Sequence, residues 1–319
     1  MTKVYGGLSL ENLVKEDKYF EFQTKLFELG LIHGIQLRVA HPTFTPDITV
    51  ASLPKVLAKL PENFELFINF GAENVGVDFG RNLDECGVFA ENAIKTGISW
   101  ANWNQETLLW GLQVAYIAAP RINKNFPLGV VHPGYGQAID DYISYNNIVS
   151  TLKRLGKGVD IALENVPAIV DKKIYSTIGK VDTWKFDRYW GFGGTPEDMA
   201  KLLKQLGPSW RCLIDFTHLI VTVNQANSLN ESILYTCREL EHTIEAYLEL
   251  PHWPICHFSG IPPEKMLVDN HDFIKVQPYE VLRKAIRQME VVCLEISFQP
   301  DKSEETLKEI ETFCEYYLS

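Results

Sequence analysis

The stretch LIDFTHLI, residues 213–220, is an apolar run that contains an acid and a base, Asp215 and His218. Burying either group alone is costly unless it finds a hydrogen-bonding partner or a metal ion. In the plainest interpretation, Asp215 caps the segment that follows and His218 packs with its ring nitrogens satisfied. In the alternative interpretation, both residues belong to a functional site.

The segments on either side of this run carry helix patterns. Upstream, TPEDMAKLLKQLG (195–207) begins with Thr195 as N-cap and Pro196 at the first helical position, and Gly207 is the predicted stop. Downstream, SILYTCRELEHTIEAYLEL (232–250) has apolar residues at helical spacing. The run RCLIDF (211–216) between them therefore predicts a strand that lies between two helices.

The same alternation runs through the whole chain. Strands that are joined by helices pair in parallel through right-handed crossovers, and eight such units that close on themselves form a (β/α)8 barrel. A doubly wound open sheet is the rival architecture, but it normally carries a glycine-rich phosphate loop after its first strand, where this chain has only Gly6 and Gly7. We therefore predict one (β/α)8 TIM-barrel domain over residues 1–319, with strands at 3–8, 34–41, 64–70, 127–132, 159–165, 211–216, 255–258 and 291–296.

Composition limits the partners and the location of the protein. The net charge of −11 counts against broad nucleic-acid affinity, although a local basic rim or bound cations could offset it. We expect a cytoplasmic protein that does not bind membranes, because the sequence shows no apolar run of membrane-span length and no signal peptide. The six scattered cysteines contain no CxxC pair and are typical of reduced thiols. The expected partner is a small-molecule or phosphoester substrate, and the sequence does not set the oligomeric state.

Six of the eight predicted strands carry a His, Asp or Glu at or near their C-terminal end, where the active groups of a barrel lie. These residue types are ligands of divalent metals. So many carboxylates and imidazoles at one end of the barrel would repel each other or stay unpaired without cations between them. Asp215 would end a strand and His218 would lie in the loop beyond it, so both could point into one pocket. The residues at the strand ends are His41, His132, Glu164, Asp215, His257 and Glu295, and Asp269 and His271 form a further ligand-like pair after the seventh strand.

In these motifs the chain resembles the xylose isomerase-like barrels, and most closely their endonuclease IV branch. The matching stretches follow the family's order from residue 128 to 297. They are VVHPG around His132, ALEN around Glu164, DFTH with Asp215 and His218, CHFSG around His257, DNH with Asp269 and His271, and CLEIS around Glu295. The resemblance implies three divalent metal ions, zinc in most members with manganese or iron as alternatives, which activate water and stabilise phosphate oxygens.

The same resemblance implies a role for each ligand. Glu164 would bridge two ions, and His132 would hold the first of them. Asp215, His257 and Glu295 would help to hold the second ion, and His218, Asp269 and His271 would hold the third.

The chain departs from the family pattern at the third strand, where the family has a further histidine. This chain reads FINFGAEN there, and its nearest polar groups, Asn69 and Glu73, are not equivalent replacements. His41 on the second strand is a candidate for the same space. A two-metal site is therefore an alternative to a three-metal site.

The long aromatic segment 71–126 lies between the third and fourth strands. We interpret its tryptophans, Trp100, Trp103 and Trp110, as core residues. A substrate pocket that they line by stacking is the alternative.

Three functions are compatible with these residues. The first is a metal-dependent hydrolase of a phosphoester, similar to endonuclease IV. The second is a sugar isomerase or epimerase with one divalent ion, in which Glu164 and Glu295 are the catalytic proton-transfer groups. The third is a metal-binding barrel without catalysis. Two or three ions per chain would favour hydrolysis, and one ion would favour isomerisation.

Overall fold

The computed structural model describes residues 2–70, 97–98, 100–136, 142–155, 158–175, 187–229, 231–260, 267, 276–296 and 302–319. Within these residues, eight parallel strands close into a barrel, which confirms the predicted (β/α)8 architecture. Each strand overlaps one of the eight predicted stretches. In their order around the wall, the strands are β1 (Lys3–Ser9), β2 (Gly34–Val39), β3 (Glu65–Phe70), β4 (Gly129–Val131), β6 (Ile161–Glu164), β9 (Arg211–Asp215), β10 (His252–Phe258) and β11 (Val291–Leu294), and β11 pairs with β1.

Helices surround the barrel, and those in the described residues include none with the length and apolarity that a membrane span requires. The predicted helix over 232–250 is instead a 3-10 turn, Ser232–Cys237, followed by a shorter α-helix. Further 3-10 turns occur at Pro42–Phe44 and Ala119–Arg121, and a π-helical turn occurs at Cys314–Leu318. The α-helices are α1 (Leu10–Lys15), α2 (Lys18–Glu28), α3 (Leu53–Leu57), α4 (Trp100–Ala118), α5 (Tyr142–Leu155), α6 (Lys172–Tyr175), α7 (Pro196–Leu206), α8 (Phe216–Ser228), α9 (Leu240–Leu248), α10 (Glu280–Ile286) and α11 (Ser303–Phe313).

Helix α7 begins and ends at the residues that the sequence predicts. The Thr195 side chain accepts a hydrogen bond from the backbone N–H of Asp198, and Pro196 opens the first turn. The helix stops at Gly207, whose φ of 110° is readily adopted only by glycine. Local capping chemistry therefore fixes the helix that precedes β9.

The start of α8 corrects the prediction that His218 lies in a loop. Helix α8 begins at Phe216, directly after β9 ends at Asp215, so His218 lies in its first turn. The physical reason is capping: Asp215 Oδ1 accepts the backbone N–H of His218 at 2.8 Å, which allows the helix to begin without a connecting loop.

A small antiparallel sheet lies outside the barrel and was not predicted. Its strands, in spatial order, are β5 (Tyr135–Gly136), β8 (Arg188–Gly191) and β7 (Ile169–Asp171). Strands of two to four residues are too short for an alternating pattern to be recognised in the sequence. Strands β5 and β7 belong to the segments that leave the C-terminal ends of β4 and β6, the end of the barrel where the polar residues gather.

The barrel interior is layered along the strands. Inward-facing side chains form one buried cluster, here called the apolar layer: Tyr5, Phe67, Phe126, Val130, Ala162, Leu213, Ile255, Val291 and Cys293. Side chains of a strand alternate between its two faces, so the next inward position is two residues further on. On six strands that position is polar, and these residues form the polar layer: Asn69, His132, Glu164, Asp215, His257 and Glu295.

Candidate metal centre

Four residues of the polar layer converge at the C-terminal mouth of the barrel. They come from four strands that are neighbours in the wall, β6, β9, β10 and β11. All four side chains are buried, and each offers one ligand atom within 4.8 Å of the others. We call these residues the mouth cluster: Glu164, Asp215, His257 and Glu295.

His257 is the central contact within the mouth cluster. Its Nδ1 lies 2.8 Å from Glu164 Oε1 and 3.3 Å from Glu295 Oε1. Burial raises the pKa of Glu164, but His257 and His132 outweigh that effect and hold this pKa well below its ordinary value. Burial lowers the pKa of His257, but Glu164 and Glu295 raise it well above the usual value for an imidazole. The two carboxylates thus favour the protonated ring, and a cation bound at this site would replace that proton.

Two amides orient Glu295. Gln36 Nε2 donates to Glu295 Oε1 at 2.7 Å, and Asn69 Nδ2 donates to the same oxygen at 3.3 Å. Asn69 lies near the end of the third strand, where the resemblance leads to the expectation of a histidine. Here it acts as a hydrogen-bond donor to a carboxylate, a role that an amide can fill without binding metal.

His132 and His218 lie beside the mouth cluster, with their ring centroids 5.9 Å apart. His132 Nε2 is 3.2 Å from Glu164 Oε2. His218 Nδ1 is 3.7 Å from both Glu164 Oε1 and Asp215 Oδ2, and it is 2.8 Å from the backbone oxygen of Asn165. A carbonyl oxygen only accepts, so Nδ1 carries a proton, and the neutral ring has its lone pair on Nε2. Metal-binding histidines commonly have their tautomer fixed in this way.

The remaining predicted positions do not add ligands within the described part of the chain. His41 stacks on Trp103 with ring centroids 3.7 Å apart, and its ring nitrogens contact Thr43 and Glu106 rather than the mouth cluster. It therefore does not replace the missing histidine of the third strand. Glu73, Asp269 and His271 lie outside the described residues, as does the side chain of Trp100. Trp103 and Trp110 are buried, as expected for core residues.

The donor set of the mouth cluster fits a divalent ion. Three carboxylates and one imidazole provide oxygen and nitrogen ligands, which zinc, manganese and iron(II) all accept. Because the four ligand atoms already lie within 4.8 Å of one another, a shared cation requires little movement of the side chains.

Sequence reasoning did not assign a role to Gln36 or Asn165. Gln36 lies between Ile35 and Leu37 in the middle of a strand, and a polar residue at an inward position is a recognisable signal. Asn165 follows Glu164 in the ALEN motif, but its contacts depend on how close β6 comes to β9.

Comparison with known proteins identifies the fold. No protein-family model matches the sequence, and no curated protein sequence does so either. Among solved structures, the chain is similar to endonuclease IV from Thermus thermophilus, with 15% identity, a TM-score of 0.53, and 98% of this chain and 99% of that chain covered. A second Thermus thermophilus protein, soaked with zinc chloride, matches with 15% identity and a TM-score of 0.51 over 98% of each chain. The protein SacUVDE matches with 14% identity and a TM-score of 0.51 over 99% of each chain. These structures therefore show the fold of the chain.

Proposed function

We propose that the protein is a metal-dependent hydrolase of a phosphoester, with at least two divalent ions at the barrel mouth. The observation that carries this proposal is the position of Glu164. One of its oxygens is 2.8 Å from His257 Nδ1, and the other is 3.2 Å from His132 Nε2. A buried carboxylate whose two oxygens face two imidazoles, one on β10 and one directly after β4, is well placed to bridge two ions.

The proposed ligands would fall into two groups, one for each ion. Asp215, His257 and Glu295 would hold one ion with Glu164, and His132 and His218 would contribute to a second. Zinc is the first candidate, in line with the resemblance to endonuclease IV. Ions at these positions would act as Lewis acids on phosphoryl oxygens and make water a better nucleophile. The His132 side chain is 27% exposed whereas the mouth cluster is buried, so substrate would approach from the side of His132.

The charge distribution favours a small phosphoester over duplex nucleic acid. Phosphate backbones are held by lysine and arginine, but the chain carries a net charge of −11. The stretches that follow the second and third strands, 40–52 and 71–82, contain one arginine and no lysine. We therefore propose a substrate with one or two phosphate groups, and abasic DNA is the less favoured candidate.

A sugar isomerase or epimerase with one ion is the second candidate. It is supported by the compact mouth cluster, which by itself forms one complete site of four ligands. In this case Glu164 and Glu295 would flank the substrate and transfer a proton between adjacent carbons. The amides of Gln36 and Asn69 count against that role for Glu295, because they hold one of its oxygens in place.

The two candidates are separated by metal content and activity. The protein is purified without chelator, its metals are counted by mass spectrometry, and it is assayed against phosphomonoesters, phosphodiesters and ketoses. Two or more ions per chain with phosphoester turnover, lost in Glu164→Gln, are expected. One ion per chain with ketose turnover would replace the proposal by the isomerase, and full metal loading without turnover in any assay would indicate a non-catalytic barrel.

A further inference from the structure

We infer that Asn165 is a positioning residue that sets the geometry of the metal ligands Asp215 and His218. This inference rests on the metal centre of the proposed function. It concerns a residue that would not itself touch an ion.

The side-chain amide of Asn165 binds both backbone polar groups of Asp215. Asn165 Oδ1 accepts the backbone N–H of Asp215 at 2.6 Å, and Asn165 Nδ2 donates to the backbone oxygen of Asp215 at 3.0 Å. These two bonds lie just beyond the paired residues of β6 and β9, at the point where β9 gives way to α8. One amide therefore fixes the backbone from which the Asp215 carboxylate projects.

The backbone of Asn165 holds a second predicted ligand. Its carbonyl oxygen accepts Nδ1–H of His218 at 2.8 Å, which sets both the orientation and the tautomer of that ring. Asn165 also directly follows the predicted bridging residue Glu164 in the chain. Asn165 is thus connected to three predicted ligands. Its side chain makes two hydrogen bonds to Asp215, its carbonyl oxygen makes one to His218, and its peptide bond joins it to Glu164.

These bonds would hold the predicted metal ligands in a fixed geometry. Metal ligands must be held within about 0.5 Å of their working geometry by the groups behind them. Without the Asn165 amide, the buried N–H and C=O of Asp215 would lose these partners, and the strand end would be free to shift. Substitution of such supporting partners typically weakens metal binding by about 10- to 100-fold.

A second buried amide provides a matched control. Gln225 lies on α8, the helix that carries His218, and binds the backbone of Ile169 at two points, with Oε1 accepting its N–H at 3.0 Å and Nε2 donating to its oxygen at 2.7 Å. Its Nε2 also donates to the backbone oxygen of Leu267 at 2.9 Å. The exposed fraction is 1% for Asn165 and 0% for Gln225. Ile169 begins β7 of the small sheet and is not a predicted ligand. Leu267 is not a predicted ligand either, so the two amides differ in whether a residue whose backbone they bind is itself a predicted ligand.

The test is titration of chelator-treated protein with cobalt(II), followed by visible absorption, which reports the ligand geometry around the ion. Asn165→Ala is expected to weaken cobalt binding by about 10- to 100-fold and to change the absorption spectrum. Gln225→Ala is expected to keep the wild-type affinity and spectrum. Both variants are expected to lower the thermal unfolding midpoint of the metal-free protein, since Asn165→Ala loses two side-chain hydrogen bonds and Gln225→Ala loses three.

A second variant, Asn165→Asp, tests the same inference if Asn165→Ala does not fold. It keeps an oxygen for the backbone N–H of Asp215, replaces the donor to the backbone carbonyl by a second oxygen and adds a negative charge, so its spectrum is expected to be altered as well. A wild-type spectrum and affinity in either Asn165 variant would overturn the inference. If the wild-type protein itself binds no cobalt, the metal centre fails, and the positioning role fails with it.

Discussion

The apolar layer and the polar layer of the barrel are built by the same strands, yet they serve different purposes. On six strands the two layers are separated by two residues: Phe67 and Asn69, Val130 and His132, Ala162 and Glu164, Leu213 and Asp215, Ile255 and His257, and Cys293 and Glu295. The first member of each pair fills the barrel, and the second faces the mouth. In TIM barrels, residues at the C-terminal end serve chemistry, and the packed interior below them serves stability. The comparison predicts that the two layers respond oppositely to substitution.

The largest expected effect is that substitutions of Glu164 and Leu213 change different properties, metal content for Glu164 and folding stability for Leu213. Glu164→Gln is expected to lose at least one bound ion while the chain still folds, because it removes a charged ligand but keeps the side-chain volume. Leu213→Ala is expected to lower the free energy of unfolding by about 2–5 kcal/mol through a cavity, and to keep the wild-type metal content. Metal counting and urea unfolding in the presence of chelator measure the two effects separately. Unchanged metal content in Glu164→Gln would refute the assignment of this residue as a ligand.

Removal of the ions should lower stability through the polar layer alone. A ligand that binds only the folded state, at 100 times its Kd, stabilises that state by about 2.7 kcal/mol. Chelator is therefore expected to lower the unfolding midpoint of the wild-type protein and of Leu213→Ala to a similar extent. The shift should be smaller in Glu164→Gln, which has already lost an ion. Equal shifts in all three proteins would mean that the ion lies outside the mouth cluster.

A smaller effect is expected at His218, on the edge of the mouth cluster. His218→Ala should lose one ion and retain the ion that Glu295 holds, since His218 Nδ1 is engaged by Asn165 and its Nε2 is the side available to a metal. His242→Ala provides the control, because the His242 side chain is 71% exposed and its Nδ1 lies 2.7 Å from Glu239, which is not a predicted ligand. If His218→Ala keeps the wild-type metal count, the multi-metal hydrolase loses its main support and the one-metal isomerase becomes the better proposal.

The sequence predicts the residues of the two layers better than it predicts the hydrogen bonds that hold those residues in place. Eight strands could be located because β-branched and aromatic runs alternate with helices, and this pattern depends only on neighbours in the chain. The members of the mouth cluster could be identified because a charged residue at the end of a buried strand is costly without a function.

What could not be predicted depends on contacts between distant segments. The amide of Asn165 reaches Asp215, 50 residues further along the chain, and Gln36 reaches Glu295 across 259 residues. The small sheet of β5, β7 and β8 is equally non-local, and its strands are too short to show a periodicity. The first turn of α8 was missed for another reason: one apolar run contains both the end of a strand and the start of a helix.

The smallest expected effect tests whether Gln36, which donates to the polar-layer residue Glu295, contributes to metal binding. Gln36→Leu removes one of the two amide donors to Glu295 Oε1, and Asn69 remains to donate to the same oxygen. We expect metal affinity to fall by about fivefold, equivalent to about 1 kcal/mol, which lies within the usual net contribution of a single hydrogen bond. The double variant Gln36→Leu/Asn69→Leu leaves Glu295 without either donor, so its loss should exceed the sum of the two single losses. Isothermal titration with the same metal measures all three variants. Additive losses would mean that the amides act independently of each other, and an unchanged affinity in the double variant would remove both residues from the metal centre and leave them as packing residues of the barrel.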